Sequence, residues 1–429
     1  RADILLPLGL CEQSQGRIDG TLDVWSCVAP GSIDAGPLSL RRGILAIEHG
    51  RLAIAEEALT RALREGHVNR DETRSALARV LRLQGRLVEL RERLTEGLGD
   101  SVVPAELLRE LWRLDTEPLP IEGVRSYLEM AEREAPNDDR VQLGWANLAA
   151  RTGRFDEAAA LLDRCDRARP ADTAVWWARL NLARTSGDVD AVRRLLVLPY
   201  AGRFRPTEAL SLRAWFAAQR ADRETEKTVL EELLKLDPGD SEALDRLAEL
   251  AAESNASETL AELRRLKAKL DEARDGYKKR LAAGDIGRAR ELSRLARTLG
   301  RRLEARGWMI LAGESEHDHP RVRERLARAV EEEPGPIPAE RLHVELTTSS
   351  EATLSRAVKV QAPSGPLPAF VDIAETSGLR FTFDNGESPE RQFPESGSGG
   401  VGLIDFDGDG FLDVYCVQGG RFPPAPGRI

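Results

Sequence analysis

Residues 139–172 read DRVQLGWANLAARTGRFDEAAALLDRCDRARPAD. On both sides of Gly153 the apolar residues fall at helical spacing, and Pro170 ends the second run. Glycine permits a turn that other residues resist, and proline cannot continue a helix. The stretch therefore predicts a helix, a tight turn at Gly153 and a second helix closed by Pro170.

The same marks recur along the chain. Gly, any residue, then an apolar residue appears at Gly16-Arg17-Ile18, Gly50-Arg51-Leu52, Gly85-Arg86-Leu87, Gly153-Arg154-Phe155, Gly187-Asp188-Val189 and Gly284-Asp285-Ile286. A small residue follows at Ala55, Ala158 and Ala289. As far as Gly187 the successive spacings are 34, 35, 68 and 34 residues, and Pro136, Pro170 and Pro238 lie 34 and then 68 apart. Two markers sharing one period imply a repeated helix–turn–helix unit. Gly43, Ala46, Ala146 and Ala149 place small residues where two helices must approach closely.

In residues 139–172, Trp145, Ala146, Gly153, Phe155, Ala158, Leu162 and Pro170 occupy the apolar, small and terminating positions of the tetratricopeptide repeat (TPR) motif, which the stretch resembles. In that register, units begin near residues 2, 36, 71, 105, 139, 173, 207 and 241, with a drifted ninth near 270. The turn glycine is replaced by Leu119, Ala221 and Asn255, the unit from 173 lacks its closing proline, and the register loosens after Asn255. The expectation is a mainly α fold, a solenoid of antiparallel helix pairs over 1–332, because one pair cannot bury its own apolar face and stacked neighbours can. The resemblance implies a scaffold holding a protein or peptide in a concave groove. Trp145 and Trp176 are expected between helices, and Trp177, on another side of its helix, at the surface.

Composition narrows the function classes. With 41% hydrophobic and 31% charged residues the chain is that of a soluble protein, and its net charge of −10 opposes nonspecific nucleic-acid binding, which needs surplus Lys and Arg on one face. Apolar runs fall short of the roughly 18 residues a membrane span requires. Cys11, Cys27, Cys165 and Cys416 show neither CxxC spacing nor a disulfide framework. Glu316-His317-Asp318-His319 reads as a polar loop before Pro320, and no nucleophile sits in a strand-to-turn context with a base.

At Glu331-Glu332-Glu333-Pro334-Gly335-Pro336-Ile337-Pro338 the helical pattern stops. Residues 333–368 are expected to be a Pro-rich linker, and 369–429 the start of a β domain. Phe370–Ile373 and Leu379–Phe383 alternate like strands, as do Val401–Phe406 and Phe411–Val417.

Between the last two strands stands Asp405-x-Asp407-x-Asp409-Gly410-x-x-Asp413. Oxygens at loop positions 1, 3, 5 and 9, with the Phe411 carbonyl at 7, converge on one cation if the loop wraps, and hard oxygen donors in a flexible loop suit calcium. Four carboxylates so close repel one another without a cation. Cys416 stands where an EF-hand has its bidentate Glu, and strands flank the loop. Gly397-Ser398-Gly399-Gly400-Val401-Gly402 matches GxGxxG, but a strand follows where dinucleotide binding needs a helix. Leu403-Ile404-Asp405-Phe406-Asp407-Gly408 resembles the first motif of haloacid-dehalogenase-type phosphatases, with Asp405 as nucleophile and Asp407 as acid/base. Against that reading, Asp409 replaces the hydroxyl residue and a strand follows.

Residues 370–420, with Pro394-Glu395, Gly399-Gly400-Val401, the aspartates and Gly419-Gly420, resemble the opening of FG-GAP (VCBS) propellers of the cartilage acidic protein and UnbV type. Phe383 stands where that family commonly has a histidine. The resemblance implies calcium sites and an extracellular or periplasmic location. Beginning at Arg1 and stopping near the first blade, the sequence is expected to be a piece of a longer chain. The combined reading is a non-enzymatic interaction scaffold joined to a calcium-binding propeller. The alternative is an enzyme, either a phosphatase using Asp405 and Asp407 or an activity in sequence beyond this piece.

Overall fold

The computed structural model describes residues 2–96, 105–116, 121–283, 288–313, 335–351, 376–383, 400–404, 406 and 413–417. The chain forms two units, 1–357 and 358–429. In the first, helices follow one another in the order α1 (Ala2–Ser14), α2 (Ile18–Ser26), α3 (Ala35–Glu48), α4 (Leu52–Glu65), α5 (Arg70–Leu83), α6 (Leu87–Glu96), α7 (Ala105–Thr116), α8 (Ile121–Glu134), α9 (Asp139–Arg151) and α10 (Phe155–Ala168). Then come α11 (Thr173–Thr185), α12 (Val189–Leu196), the short strand β1 (Arg203–Phe204), α13 (Pro206–Gln219), α14 (Arg223–Leu236), α15 (Ser241–Glu253), α16 (Ser257–Ala282), α17 (Ala289–Thr298) and α18 (Arg302–Gly313). A second short strand, β2 (Ile337–Pro338), leads into α19 (Ala339–Glu351). The result is a mainly α solenoid of antiparallel helix pairs.

One turn geometry makes the pairs. Among the described residues, eight first helices end on a residue with positive φ: Gly16 (73°), Gly50 (68°), Gly85 (73°), Gly153 (76°), Gly187 (76°), Ala221 (56°), Asn255 (55°) and Gly300 (72°). The next amide then reaches back five residues to the helix. Arg51 N–H donates to the Ala46 carbonyl at 2.8 Å, Arg154 to Ala149 at 2.9 Å, Asp222 to Ala217 at 3.0 Å and Arg301 to Ala296 at 2.8 Å. This is the six-to-one bond of a left-handed helix cap, and it satisfies a carbonyl the helix end would otherwise leave orphaned. Ala221 and Asn255 hold the glycine conformation without being glycine. The sequence expected the last such turn at Gly284, which lies outside the described residues; Gly300 makes one between α17 and α18.

The following helix is often opened by an aspartate or asparagine. Asn69, Asp138, Asp172 and Asp240 accept hydrogen bonds from the first free amides of α5, α9, α11 and α15.

Three features depart from the expected open stack. In the unit from 105 the helices part company: α7 packs on α6 and α18, while α8 packs on α9. The sequence puts Leu119 at the turn position there, and it lies outside the described residues. The expected helix start near 270 is absent, because α16 runs unbroken through it. Leu108 and Trp112 of α7 are buried with Tyr277, Leu292 and Trp308, joining residues far apart in the chain. Trp112 meets Tyr277 edge-on at 4.7 Å, and Trp308 Nε1 donates to the Tyr277 hydroxyl at 2.6 Å.

The second unit contains an antiparallel hairpin, β3 (Val401–Ile404) and β4 (Asp413–Cys416), paired from Val401↔Cys416 to Ile404↔Asp413. These fall within the two strands expected around the aspartates. Leu379–Phe383, also expected as a strand, is irregular chain, and Phe370–Ile373 lies outside the described residues. Among the described residues no helix is long and apolar enough to cross a membrane.

Two substitutions of opposite sign test the turn. In Gly50→Ala the new Cβ would lie 2.4 Å from the Ala131 Cα, on top of the left-handed penalty, and a loss of at least about 2 kcal/mol is expected. Ala221→Gly relieves the same penalty and should gain about 0.5–1 kcal/mol after the extra unfolded-state freedom of glycine is subtracted. Urea midpoints at constant m-value measure both; equal signs would refute the shared turn.

Candidate functional site

Two regions carry candidate chemistry, one in each unit. In the second unit, Asp405, Asp407, Asp409 and Phe411 lie outside the described residues. Asp413 is described: it opens β4, and its carboxylate oxygen Oδ2 accepts the Phe406 N–H at 2.9 Å. That bond ties the end of the aspartate loop to its beginning. Phe406 is 85% exposed, and Val401, Leu403, Ile404 and Tyr415 of the hairpin are exposed as well. Among the described residues, no three His, Cys, Asp or Glu side chains gather as a metal would require. His317 and His319 also lie outside the described residues.

The first unit holds a ladder of charges between helix pairs, built from residues whose spacing alone did not mark them. Glu56 of α4 lies 2.6 Å from Arg86 Nη1, in the turn after α5, and 2.9 Å from Arg140 Nε on α9. Gln84 Nε2 donates to Glu56 at 3.3 Å, and Arg140 Nη2 reaches Asp172, the cap of α11, at 2.8 Å. The Arg140 side chain is 4% exposed. Its Nε faces Glu56 at ion-pair distance without aligning as a hydrogen-bond donor, so charge attraction carries that contact. Asp138 caps α9 and also accepts the Ala53 N–H at the start of α4, joining two helices through one carboxylate.

Burial alone pushes the Glu56 carboxyl up, yet the Arg86 and Arg140 guanidiniums outweigh it and hold the group below its usual range. Asp172 behaves alike: burial raises it, and Arg140 brings it below its usual value. For Asp138 burial wins over three backbone amides and the carboxyl is raised. Cys165 is buried, and burial pushes its thiol up to about 12, so it stays protonated at neutral pH.

Trp176 is buried, donating Nε1–H to the Leu195 carbonyl at 2.9 Å, as expected for a residue between helices. Trp145 is half-buried against the apolar core that includes Leu81, Leu128 and Leu148. Trp177 is not on the open surface: it stacks edge-on against Trp176 at 4.8 Å and Phe204 at 5.0 Å. A cleft of about 190 Å³ between α14, α15 and α16, floored by Leu234, Leu247, Leu250 and Leu263, is smaller than the roughly 300 Å³ at which small-molecule sites begin.

No family model matches the sequence, and no curated protein does. Among solved structures the chain is similar to a tetratricopeptide repeat protein from Parabacteroides merdae ATCC 43184, with 14% identity over 68% of this chain and 99% of that one and a TM-score of 0.18. It is also similar to the TPR domain of P58(IPK), with 13% identity over 77% of this chain and 98% of that one and a TM-score of 0.23. Superposition at such scores carries no argument, and the fold stands on the turns and helix pairs of this chain.

The ladder sets a pH dependence. Glu56 and Asp172, with depressed folded-state pKa values, contribute stability that is present above their ordinary values of 4.5 and 3.8 and lost as pH falls through the folded values. Asp138 works in the opposite sense, since its raised carboxyl disfavours the fold once ionised and that cost fades in acid. Glu56→Gln takes one carboxylate from two buried guanidiniums while Arg86 keeps Glu89 and Arg140 keeps Asp172, and it is expected to cost about 1–3 kcal/mol at pH 7. The gap to wild type should narrow as pH falls below the ordinary carboxyl value of 4.5 and on through the lower folded value; a gap independent of pH in urea titrations would refute the assignment.

Proposed function

We propose that the helical unit is a protein-interaction scaffold and that the second unit opens a calcium-binding β-propeller, which places the protein outside the cytoplasm, in an extracellular or periplasmic compartment. For the scaffold, the supporting observation is the turn repeated at about 34 residues: it produces stacked helix pairs, and such stacks offer extended surfaces to peptides and proteins. The reading is non-enzymatic.

For calcium, the support is the 1, 3, 5, 9 spacing of Asp405, Asp407, Asp409 and Asp413 with the Phe411 carbonyl, together with the bond from Phe406 to Asp413 that closes the loop. The cation would neutralise the crowded carboxylates. Under the phosphatase reading the strand before Asp405 should lead toward helical segments, whereas β4 returns antiparallel to β3.

Calcium titration by calorimetry on the chain with its natural continuation tests the loop. Binding is expected, with an at least tenfold loss in the Asp407→Ala, Asp409→Ala double variant. Metal-dependent turnover of a phosphate ester, abolished by Asp405→Asn, would overturn the proposal in favour of an enzyme. A full-length pull-down that recovers no specific protein would reduce the solenoid to a spacer.

A further inference from the structure

Residues 335–351 lie within the stretch expected as a linker, and in the structure they are docked. Ile337 and Pro338 pair antiparallel with β1, opposite Phe204 and Arg203, and the Ala339 N–H donates to the Gly202 carbonyl at 3.3 Å. α19 then packs on α12 and α13. It buries Ala339, Leu342 and Leu346 in one cluster with Trp176, Phe204 and Phe216. Glu345 forms an ion pair with Arg213 of α13, and Arg220 Nη2 donates to the Leu346 carbonyl at 3.0 Å.

Two observations mark this segment as an occupant of the stack. Among the described residues α12 is the shortest second helix, with 8 residues against 9 in α2, 10 in α6 and 14 in α4, α10 and α14. The chain after α12 forms the β1 edge, and α19 covers the apolar side chains left beside it. The occupant also has the form of a bound peptide: backbone pairing at an edge, apolar anchors at i, i+3 and i+7, and a carboxylate facing an arginine. A helix of 13 residues is marginal alone in water, so α19 depends on the surface it covers.

We propose that the seam between α12, β1 and α13, floored by Trp176 of α11, is a docking groove for an amphipathic helix, and that residues 335–351 are its internal occupant, displaced by a partner helix of the same pattern. The partner carries three apolar anchors at that spacing and an acidic residue six positions after the first, matched to the aromatic floor and to Arg213. This rests on the scaffold reading and adds to it a location, a ligand chemistry and an autoinhibited state.

The test uses the full chain and a fluorescent peptide of residues 335–351. In Leu342→Asp, Leu346→Asp the internal helix is released, and the variant should bind the peptide at least tenfold more tightly than wild type does. Adding Arg213→Glu should remove most of that gain, and a peptide carrying Glu345→Arg should restore it. A double variant with wild-type circular dichroism and melting that fails to bind would overturn the proposal. If the double variant does not fold, hydrogen exchange on the wild type decides: amides of α19 exchanging well before those of α13 support a detachable helix, and exchange at the same free energy overturns it. Because the peptide comes from the chain, the groove can stand even if no foreign protein binds, so failure of the scaffold reading is read separately.

Discussion

The left-handed turn at the end of each first helix is the constraint on which the helical unit depends. A helix pair has an apolar face it cannot hide, and it stacks productively only when both helices leave the turn at a fixed angle. The six-to-one bond fixes that angle, and positive φ is its condition. Where glycine is lost, the outcome follows the replacement. Ala221 and Asn255 still adopt the conformation, at 56° and 55°, and the pairs α13–α14 and α15–α16 form. In the unit from 105, α7 packs on α6 and α18 while α8 packs on α9.

That divergence explains the packing around it. With α7 turned toward α18, the pair α3–α4 and the end of α5 meet α8 and α9 directly. Gly50 lies against Ala131, the Tyr127 hydroxyl donates to the Ile47 carbonyl at 2.6 Å, and Asn147 Nδ2 donates to the Gln84 carbonyl at 2.7 Å. The ladder from Arg86 through Glu56 and Arg140 to Asp172 crosses the same interface. Desolvation offsets much of the attraction within it. Its stronger effect is on alignment, since a slip of α9 by one helical turn of about 5.4 Å would strand a buried charge.

Local features were legible in the sequence and distant ones were not. Gly50, Gly85, Gly153 and Gly187 announced turns because the conformation they supply is local. The hairpin around the aspartates was legible for the same reason, its strands alternating on either side of a turn-rich run. The caps Asp138, Asp172 and Asp240 repeat at 34 and 68 residues and were open to the same reading, although each aspartate alone looks like any surface acid. Glu56 gave no signal: its role depends on Arg86 and Arg140, brought to it from 30 and 84 residues away by stacking. Trp177 was misplaced because helix position alone did not show that Phe204 would cover it.

The docking of α7 and α19 shows why a period of 34 residues does not by itself define an open array. Nearest-neighbour stacking predicts ends that fray independently, since each interface involves only adjacent units. Here Trp112 is held by Tyr277 and by the Arg301 guanidinium, 4.6 Å above its ring, so the first half cannot open without uncovering the last helices. α19 is bound differently. Among the described residues Ala339, Leu342 and Leu346 are buried with Ile337 packed beside them, the ion pair to Arg213 is partly exposed, and the short strand adds two residues to an edge. Exposed ion pairs contribute about 0–1 kcal/mol. The segment enters the stack from one edge, and sub-global opening is expected to release it before the seam between α12, β1 and α13 comes apart.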